Sequence, residues 1–77
     1  MVRRNIVGKR VQQIRKSSLP PLTQLDLAAR LQIQGVSIER PAISKIETGY
    51  RIVTDIEVAA LAKALDVDVS SLFEIDH

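Results

Sequence analysis

The 77-residue sequence contains no cysteine and no tryptophan, and only one tyrosine, one phenylalanine and one histidine. Without cysteine the chain has neither a disulfide framework nor a thiolate metal site, as is usual in a reducing cytosol. The single histidine is His77, the last residue, so we expect no histidine-based catalytic triad, and one histidine cannot form a two-histidine metal site. Because apolar residues still make up 45% of the chain, the core of this one small domain must be aliphatic.

Phosphate-binding loops and long apolar runs are also missing. The three glycines stand singly at positions 8, 35 and 49, so no glycine-rich phosphate loop is present. No apolar run approaches the roughly 18 residues of a membrane span, and no charged segment followed by an apolar run marks a secretory signal. We therefore expect a cytoplasmic protein with no membrane association, no cofactor, no metal and no enzymatic activity.

The net charge of +2 conceals a strong separation of charge along the chain. Residues 1–51 hold ten lysines and arginines against three acidic residues, a net +7, whereas residues 52–77 hold one lysine against six, a net −5. A chain with one basic and one acidic part can meet a polyanion with one face only. Charge alone leaves two interpretations open, a nucleic-acid partner or an uneven distribution that arose by chance.

Two amphipathic helices are predicted within residues 22–49, and the first of them spans about residues 24–32. Thr23 followed by Asp26 is a variant of the capping box that begins helices. Leu22 and Leu27 have the spacing of a hydrophobic staple, in which the residue before the cap packs on the first helical turn. This helix therefore has a defined start and one apolar face.

The second helix of the pair is expected to begin near Glu39 or Arg40 and to end at Gly49, a typical residue after a helix C-cap. Ile43 and Ile46, three positions apart, form a thin apolar stripe. The rest of its surface is polar and cationic, with Arg40, Ser44, Lys45 and Thr48. Such a helix suits contact with an anionic partner.

The pattern T-Q-x-x-L-A-x-x-L followed by I-S-K-I-E-x-G resembles the helix-turn-helix of the phage-repressor (Cro/CI, or XRE) family of DNA-binding domains. The matching residues are Thr23, Gln24, Leu27, Ala28, Leu31, Ile43, Ser44, Lys45, Ile46, Glu47 and Gly49. The resemblance extends over residues 7–73. It implies an all-α fold, a compact five-helix bundle of the lambda-repressor-like type, with the second and third helices forming the helix-turn-helix of one domain over residues 1–77.

The remaining segments fit this bundle. A first helix over residues 7–17 is predicted from apolar residues at helical spacing, Val7, Val11 and Ile14. Thr54 and Glu57 form a full capping box that begins a fourth helix ending near Leu65. Residues 69–73 should form a short fifth helix capped by a serine, with Leu72 and Phe73 closing the core.

The two ends of the chain are expected to lie outside the core of residues 7–73. Residues 1–6 are predicted to be a loose basic arm. Its Arg3 and Arg4 have two open interpretations, contact with phosphate or the minor groove, or a solvated terminus, which we favour. Residues 74–77 form a short acidic tail.

The resemblance places Arg40, Pro41, Ser44 and Lys45 at the family's major-groove positions. Arg40 is the strongest candidate for base readout, because a guanidinium can donate two hydrogen bonds to guanine O6 and N7. Lys45 is expected to contact a base or a phosphate. Pro41 has no amide hydrogen to donate, so it can offer only an apolar contact.

By the same resemblance, Gln24 and Arg51 are expected to contact phosphates, with the hydroxyl of Tyr50 as a further candidate. Two alternatives stay open: Gln24 as an ordinary exposed residue in a first helical turn, and Tyr50 as a residue at the rim of the core. The resemblance also implies a structural salt bridge between Arg15 in the first helix and Glu47 in the third. Its role would be to position the third helix.

The turn between the second and third helices departs from the family pattern, because Leu31 and Ile43 are separated by more residues than is common. The additional residues include three apolar side chains expected to hold the loop on the core, Ile33, Val36 and Ile38. Because the longer turn shifts the start of the third helix, individual base contacts transfer less directly from the family.

We expect this chain to bind specific double-stranded DNA as a transcriptional regulator, and a repressor in particular. The family commonly binds as a two-fold homodimer on half-sites about 34 Å apart. Leu25, Ile56 and residues 67–75 are candidate apolar contacts between the two copies. Two alternatives are an antitoxin or accessory subunit acting with a protein partner, and a protein-interaction module that does not bind DNA. Steep salt dependence of DNA affinity would favour DNA binding, and a co-purifying stoichiometric partner would favour the alternatives.

Overall fold

A computed structural model describes residues 2–74 of the chain. Within this range the protein consists of helices and connecting segments, with no strand: α1 (Gly8–Ser17), α2 (Gln24–Ile33), α3 (Arg40–Glu47), α4 (Asp55–Ala64) and a final 3-10 helix (Val69–Phe73). The all-α fold predicted from the sequence is confirmed. None of the helices in this range is long and apolar enough to cross a bilayer.

The helices meet at an aliphatic core in which α3 lies against both α1 and α2, while α4 packs on α2 and on the 3-10 helix. The largest fully buried side chains come from all five elements: Val11, Leu27, Leu31, Ile43, Ile46, Leu61 and Leu72. Burying one such side chain contributes about 1.5–3 kcal/mol. Because the apolar stripe of α3 faces the core, the residues on the other side of the helix are left to solvent.

Capping boxes begin α2 and α4, as the sequence predicts. The hydroxyl of Thr23 accepts a hydrogen bond from the Asp26 amide at 3.0 Å, and the Asp26 carboxylate accepts one from the Thr23 amide at 3.0 Å. Thr54 and Glu57 make the same two bonds at the start of α4, at 3.2 and 3.0 Å. Each capping box gives a hydrogen-bond acceptor to two backbone amides. One of these amides lies in the first turn of the helix, where amides have no partner inside the helix.

The end of α3 is a turn that reverses the chain through a positive φ angle. The Gly49 amide donates to the Ile46 carbonyl at 3.1 Å and the Tyr50 amide donates to the Lys45 carbonyl at 2.8 Å, with Gly49 at φ +86°. This Schellman geometry favours glycine. α4 ends in the same way, but Asp66 occupies the corresponding position at φ 58°. Aspartate tolerates this region better than most residues, and glycine tolerates it best.

The start of α1 touches the end of α3 directly at Gly8. A Cβ atom built on Gly8 would collide with the carbonyl oxygen of Ile46. The absence of a side chain at Gly8 therefore lets the two helices approach, and Val7 and Val11 on either side of Gly8 are buried.

The fifth helix differs from the prediction. Residues 69–73 form a 3-10 helix that follows Asp68, and no side-chain cap, from a serine or from any other residue, begins it. Five residues give only a little more than one helical turn, for which the tighter 3-10 geometry is common. Leu72 is fully buried as expected, but Phe73 remains 43% exposed and only partly covers the core.

Ile33 was predicted to hold the α2–α3 loop on the core and does not, because its side chain is 87% exposed. α2 continues to Ile33, two positions beyond the buried Leu31, and residues two apart lie on different sides of a helix. Val36 is partly buried against the core and Ile38 is buried, so these two residues do hold the loop.

The loose arm predicted for residues 1–6 is also corrected, because Arg3 and Asn5 donate side-chain hydrogen bonds to the end of α3. The backbone amide of Arg4 donates to the Gly49 carbonyl at 2.8 Å. The sequence gives little sign of these contacts because their acceptors are backbone carbonyls more than 40 residues away. Residue 1, and residues 75–77 of the predicted tail, lie outside the described part of the chain.

Candidate nucleic-acid interface

The outer face of α3 carries the predicted base-reading residues in two adjacent rows. Arg40 and Ser44 are four positions apart and so lie on one row, and Pro41 and Lys45 form the next. Pro41 lies in the first helical turn, where amides have no acceptor inside the helix, so the missing amide hydrogen of proline costs no hydrogen bond. Ser44 is half-buried and the other three residues are exposed. Within residues 2–74, neither Arg40 nor Lys45 has an ion-pair partner, so both cations face solvent.

The inner face of α3 is fixed by a buried ion pair between Arg15 and Glu47. Arg15 Nε and Nη2 donate to the two carboxylate oxygens of Glu47 at 2.7 and 2.9 Å, and Arg15 Nη1 donates to the Leu22 carbonyl at 2.9 Å. The hydrogen bonds to Glu47 raise the pKa of Arg15, which keeps it charged despite its burial. The pair joins α1 to α3 and contacts the residue that precedes the α2 cap.

Gln24 lies in the first turn of α2 and contacts the same carboxylate. Its Nε2 donates to Glu47 Oε1 at 3.1 Å. One Nε2 hydrogen and the amide oxygen are left for another partner. Gln24 also lines an open groove between α1 and the start of α2, together with Lys16 and Arg40. Glu47 therefore fixes the side chain of Gln24 beside two cations.

Arg51 and Tyr50 follow the end of α3 and differ in their surroundings. Tyr50 is 63% exposed, which disfavours the rim-of-core alternative. Arg51 Nη1 and Nη2 donate to the two carboxylate oxygens of Glu57 at 2.9 and 2.7 Å. These bonds raise the pKa of Arg51 and hold the pKa of Glu57 below its ordinary value. Arg51 is thus already paired, although its side chain is 31% exposed and accessible to a further anion.

In the structure the residues predicted to contact DNA lie on α3, on the segment directly after it and at the start of α2, where Gln24 is bonded to Glu47 of α3. Sequence reasoning missed three contacts there: the Gln24 bond to Glu47, the Arg51 pair with Glu57, and the anchoring of Arg3 and Asn5. The capping box of Thr54 and Glu57 predicts the start of a helix, but nothing in it indicates that Glu57 also pairs with Arg51. Among the described residues no group of three or more potential metal ligands is present.

Comparison with known proteins agrees with this architecture. The sequence profile of the helix-turn-helix family matches residues 21–72. No curated protein sequence matches the chain significantly. A similar solved structure is the restriction-modification controller protein C.AhdI from Aeromonas hydrophila, with 30% sequence identity, 87% coverage of each chain and a TM-score of 0.72. The chain therefore belongs to the XRE-type helix-turn-helix family of DNA-binding transcriptional regulators.

Proposed function

We propose that this regulator is a cytoplasmic repressor that inserts α3 into the major groove of duplex DNA. The observation that carries the proposal is the contrast between the two faces of α3. One side is buried and fixed by the Arg15–Glu47 pair, whereas Arg40 at the start of the helix and Lys45 near its end are exposed and have no ion-pair partner among the described residues. The major groove of B-DNA is about 12 Å wide and admits one α-helix. Occupancy of the site would block transcription.

Arg40 and Lys45 are the proposed base-reading residues. Arg40 is the first residue of α3, and recognition helices contact base edges with their N-terminal residues. Its guanidinium can donate two hydrogen bonds to one guanine in a fixed planar geometry, whereas Lys45 provides a mobile ammonium with three rotatable donors. Ser44 would contact a base or phosphate between them, and Pro41 would contact an apolar base edge such as a thymine methyl.

Gln24 and Arg51 are proposed to contact phosphates on the two sides of α3, with the exposed hydroxyl of Tyr50 beside Arg51. Gln24 is supported by its fixed orientation on Glu47 and by its position in the first turn of α2, where the helix end favours anions. Arg51 would share its guanidinium between Glu57 and a phosphate. Phosphate contacts of this kind set the orientation of the domain and carry no sequence information.

We further propose a two-fold homodimer, since several large apolar side chains are exposed near the start of α4 and on the 3-10 helix. They include Ile52, Ile56, Val69 and Phe73. Ile6 and Phe73 also line a common groove with Val53 and Val58. Exposed apolar surface of this kind is typical of interaction sites. Leu25 is equally exposed but lines the groove beside Gln24 and Arg40, on the proposed DNA side.

The dimer is tested by Ile56→Glu, with Ile33→Glu as the control because both isoleucines are highly exposed. In sedimentation experiments Ile56→Glu should shift the chain toward the monomer, while Ile33→Glu should not. Equal behaviour of the two variants would place the interface elsewhere.

A second candidate function is the control of restriction and modification genes. The similarity to C.AhdI supports it, because it extends over 87% of both chains at 30% identity. A third, an accessory subunit or antitoxin, would require a protein partner. The candidate functions share the DNA interface and differ in which genes lie beside the bound site. The DNA sequence that the protein selects, once located beside its genes, therefore distinguishes them.

The experiment is a selection of random duplex DNA with the purified protein at about 150 mM salt, where weak phosphate contacts fade. An enriched palindrome is expected, as two half-sites of a dimer. Arg40→Ala should relax the preference at one base position, at a cost of about 1–3 kcal/mol there. Lys63→Ala, which removes one exposed cation from α4, is the matched control and should leave the preference unchanged.

The other outcomes are equally specific. If Arg40→Ala leaves both preference and affinity unchanged, α3 is not the reading helix. A single short site would mean a monomer or a subunit that lacks its partner. No enrichment, together with binding that disappears as salt rises, would leave only non-specific attraction and favour a protein-interaction module.

A further inference from the structure

The last four carbonyl groups of an α-helix have no partner inside the helix, and in α3 these belong to residues 44–47. The turn that follows the helix supplies backbone donors to the first three. The Ser44 carbonyl accepts from the Thr48 amide at 3.0 Å, the Lys45 carbonyl from the Tyr50 amide at 2.8 Å and the Ile46 carbonyl from the Gly49 amide at 3.1 Å. These are local bonds that the sequence around Gly49 encodes.

The last two carbonyls of α3 accept hydrogen bonds from side chains at the beginning of the protein, and for Ile46 this bond is made in addition to the one from the Gly49 amide. Asn5 Nδ2 donates to the Ile46 carbonyl at 3.1 Å, and Arg3 Nη2 donates to the Glu47 carbonyl at 2.9 Å. The Arg3 side chain lies across Gly49, where a Cβ atom would be 2.9 Å from it. A guanidinium at this place also offsets the negative end of the helix dipole.

Asn5 connects three parts of the domain. Besides its bond to α3, its Nδ2 donates to the Arg51 carbonyl at 2.8 Å, and its Oδ1 accepts from the Gly8 amide at 2.7 Å. A carboxamide has two donor hydrogens and one acceptor oxygen, so a single orientation of Asn5 satisfies all three bonds. The side chain thereby links the start of α1, the end of α3 and the segment that carries Arg51.

We propose that Asn5 and Arg3 are positioning residues for DNA recognition, which hold the C-terminal end of α3 at a fixed distance from Arg51. The inference rests on the proposed function, in which α3 contacts bases and Arg51 contacts phosphate. Both groups must be presented together, and recognition constellations require placement to within about 0.5 Å. Neither Asn5 nor Arg3 needs to contact DNA for this role.

The experiment compares Asn5→Ala, Arg3→Ala and Arg4→Ala in the full chain. Arg4→Ala is the matched control, because it removes the same charge as Arg3→Ala from a side chain with no hydrogen bond among the described residues. Affinity for the selected sequence and for a scrambled duplex of equal length is measured by fluorescence anisotropy at several salt concentrations. Circular dichroism confirms that each variant is fully folded at the temperature used.

Asn5→Ala should lower the ratio of specific to scrambled affinity about tenfold, the effect of one or two hydrogen bonds, without changing the salt slope. Arg3→Ala should lower the ratio more than Arg4→Ala does, and Arg3→Lys, which keeps the positive charge and one donor nitrogen, should recover part of it. Asn5→Asp keeps the acceptor for Gly8 but has no donors, so it should behave no better than Asn5→Ala.

An unchanged ratio in Asn5→Ala overturns the inference, even if the variant melts at a lower temperature. Equal loss in Arg3→Ala and Arg4→Ala for both duplexes, with each salt slope reduced by about one, would show direct phosphate contacts and overturn the role of Arg3. If the wild-type chain itself prefers no sequence, the proposed function fails and the inference fails with it. That outcome is separate from a failure of the variants alone.

Discussion

Two arginine–glutamate pairs in this protein have the same hydrogen-bond lengths and different surroundings, although Arg15 donates through Nε and Nη2 and Arg51 through Nη1 and Nη2. Arg15 and Glu47 make two hydrogen bonds of 2.7 and 2.9 Å, and their side chains are 9% and 1% exposed. Arg51 and Glu57 make two of 2.9 and 2.7 Å, and their side chains are 31% and 15% exposed. We call them the inner pair and the outer pair. Bond lengths alone would not distinguish them.

The difference lies in what replaces a lost partner. In the outer pair water or a phosphate can take the place of the carboxylate, whereas in the inner pair a lost partner leaves a buried charge without compensation. Both pairs make further hydrogen bonds to the protein, the inner pair with the Leu22 carbonyl and the Gln24 amide and the outer pair with the Ile52 carbonyl and the Thr54 amide, so burial is what separates them. We infer that the inner pair positions α3, and that the outer pair orients Arg51 so that a DNA phosphate can replace Glu57 as its partner.

The largest expected effect is loss of the inner carboxylate. Glu47→Ala should lower the free energy of unfolding by about 3–5 kcal/mol, because it leaves Arg15 charged and buried. Glu57→Ala should cost only about 1–2 kcal/mol, the sum of an exposed pair and a helix cap. Urea unfolding followed by circular dichroism measures both. Similar losses in the two variants would show that burial does not separate the pairs.

The double variant Arg15→Met with Glu47→Leu sharpens this result. Since neither charge remains, most of the stability lost in Glu47→Ala should return. A double variant as unstable as Glu47→Ala would mean that the attraction itself, or the bond to Gln24, accounts for the loss.

The second effect concerns DNA. Arg51→Ala should weaken binding to selected and scrambled duplexes alike and reduce the salt slope by about one, because one phosphate contact is lost. The same variant should lose less than about 1 kcal/mol of folding stability. Anisotropy titrations at several salt concentrations measure the first result, and urea unfolding the second. A changed base preference would show that Arg51 reads sequence.

The third effect is pH dependence of the outer pair. Hydrogen bonds from Arg51 hold the pKa of Glu57 below its ordinary value of 4.5. The pair's stabilisation is therefore complete above the unfolded-state pKa and is lost as pH falls through the lower folded-state pKa. The stability difference between the wild type and Glu57→Gln should be largest at neutral pH and should narrow below about pH 4.5. Urea midpoints measured from pH 7 to pH 2.5 test this, and a constant difference would contradict it.

The smallest effect is screening by salt. At 1 M ionic strength the Debye length is about 3 Å, so the cost of Glu57→Ala should shrink by a few tenths of a kcal/mol. The cost of Glu47→Ala should stay the same because its surroundings exclude solvent ions. Urea titrations in 0.1 and 1 M sodium chloride provide the comparison. Equal salt sensitivity would place the inner pair in contact with solvent.

The parts of the fold that could be predicted are those with local signals. The capping boxes at Thr23 and Thr54 each lie within four residues, as does the end of α3 at Gly49, so their spacing is visible in the sequence. The Arg15–Glu47 pair, 32 positions apart, followed from resemblance to a family. No property of the two residues alone connects them.

The contacts that could not be predicted depend on where helices lie relative to one another. Asn5 binds backbone carbonyls, and because every residue has a carbonyl, this kind of contact leaves no pattern in the sequence. Arg51 and Glu57 are only six positions apart, but the turn between them decides whether they meet. For Ile33, the apolar residue type predicted burial. α2 extends one residue further than predicted, however, and Ile33 lies on its exposed side.

The contact between Gly8 and the Ile46 carbonyl has a consequence for mutational tolerance. Gly8 is buried, whereas the nearby Ile6 and Lys9 are exposed, and a scan of all substitutions should find many acceptable replacements at those two positions. At position 8 even alanine would push α1 away from the end of the recognition helix. Natural variation should therefore be as restricted at position 8 as in the aliphatic core, although the residue has no side chain to conserve.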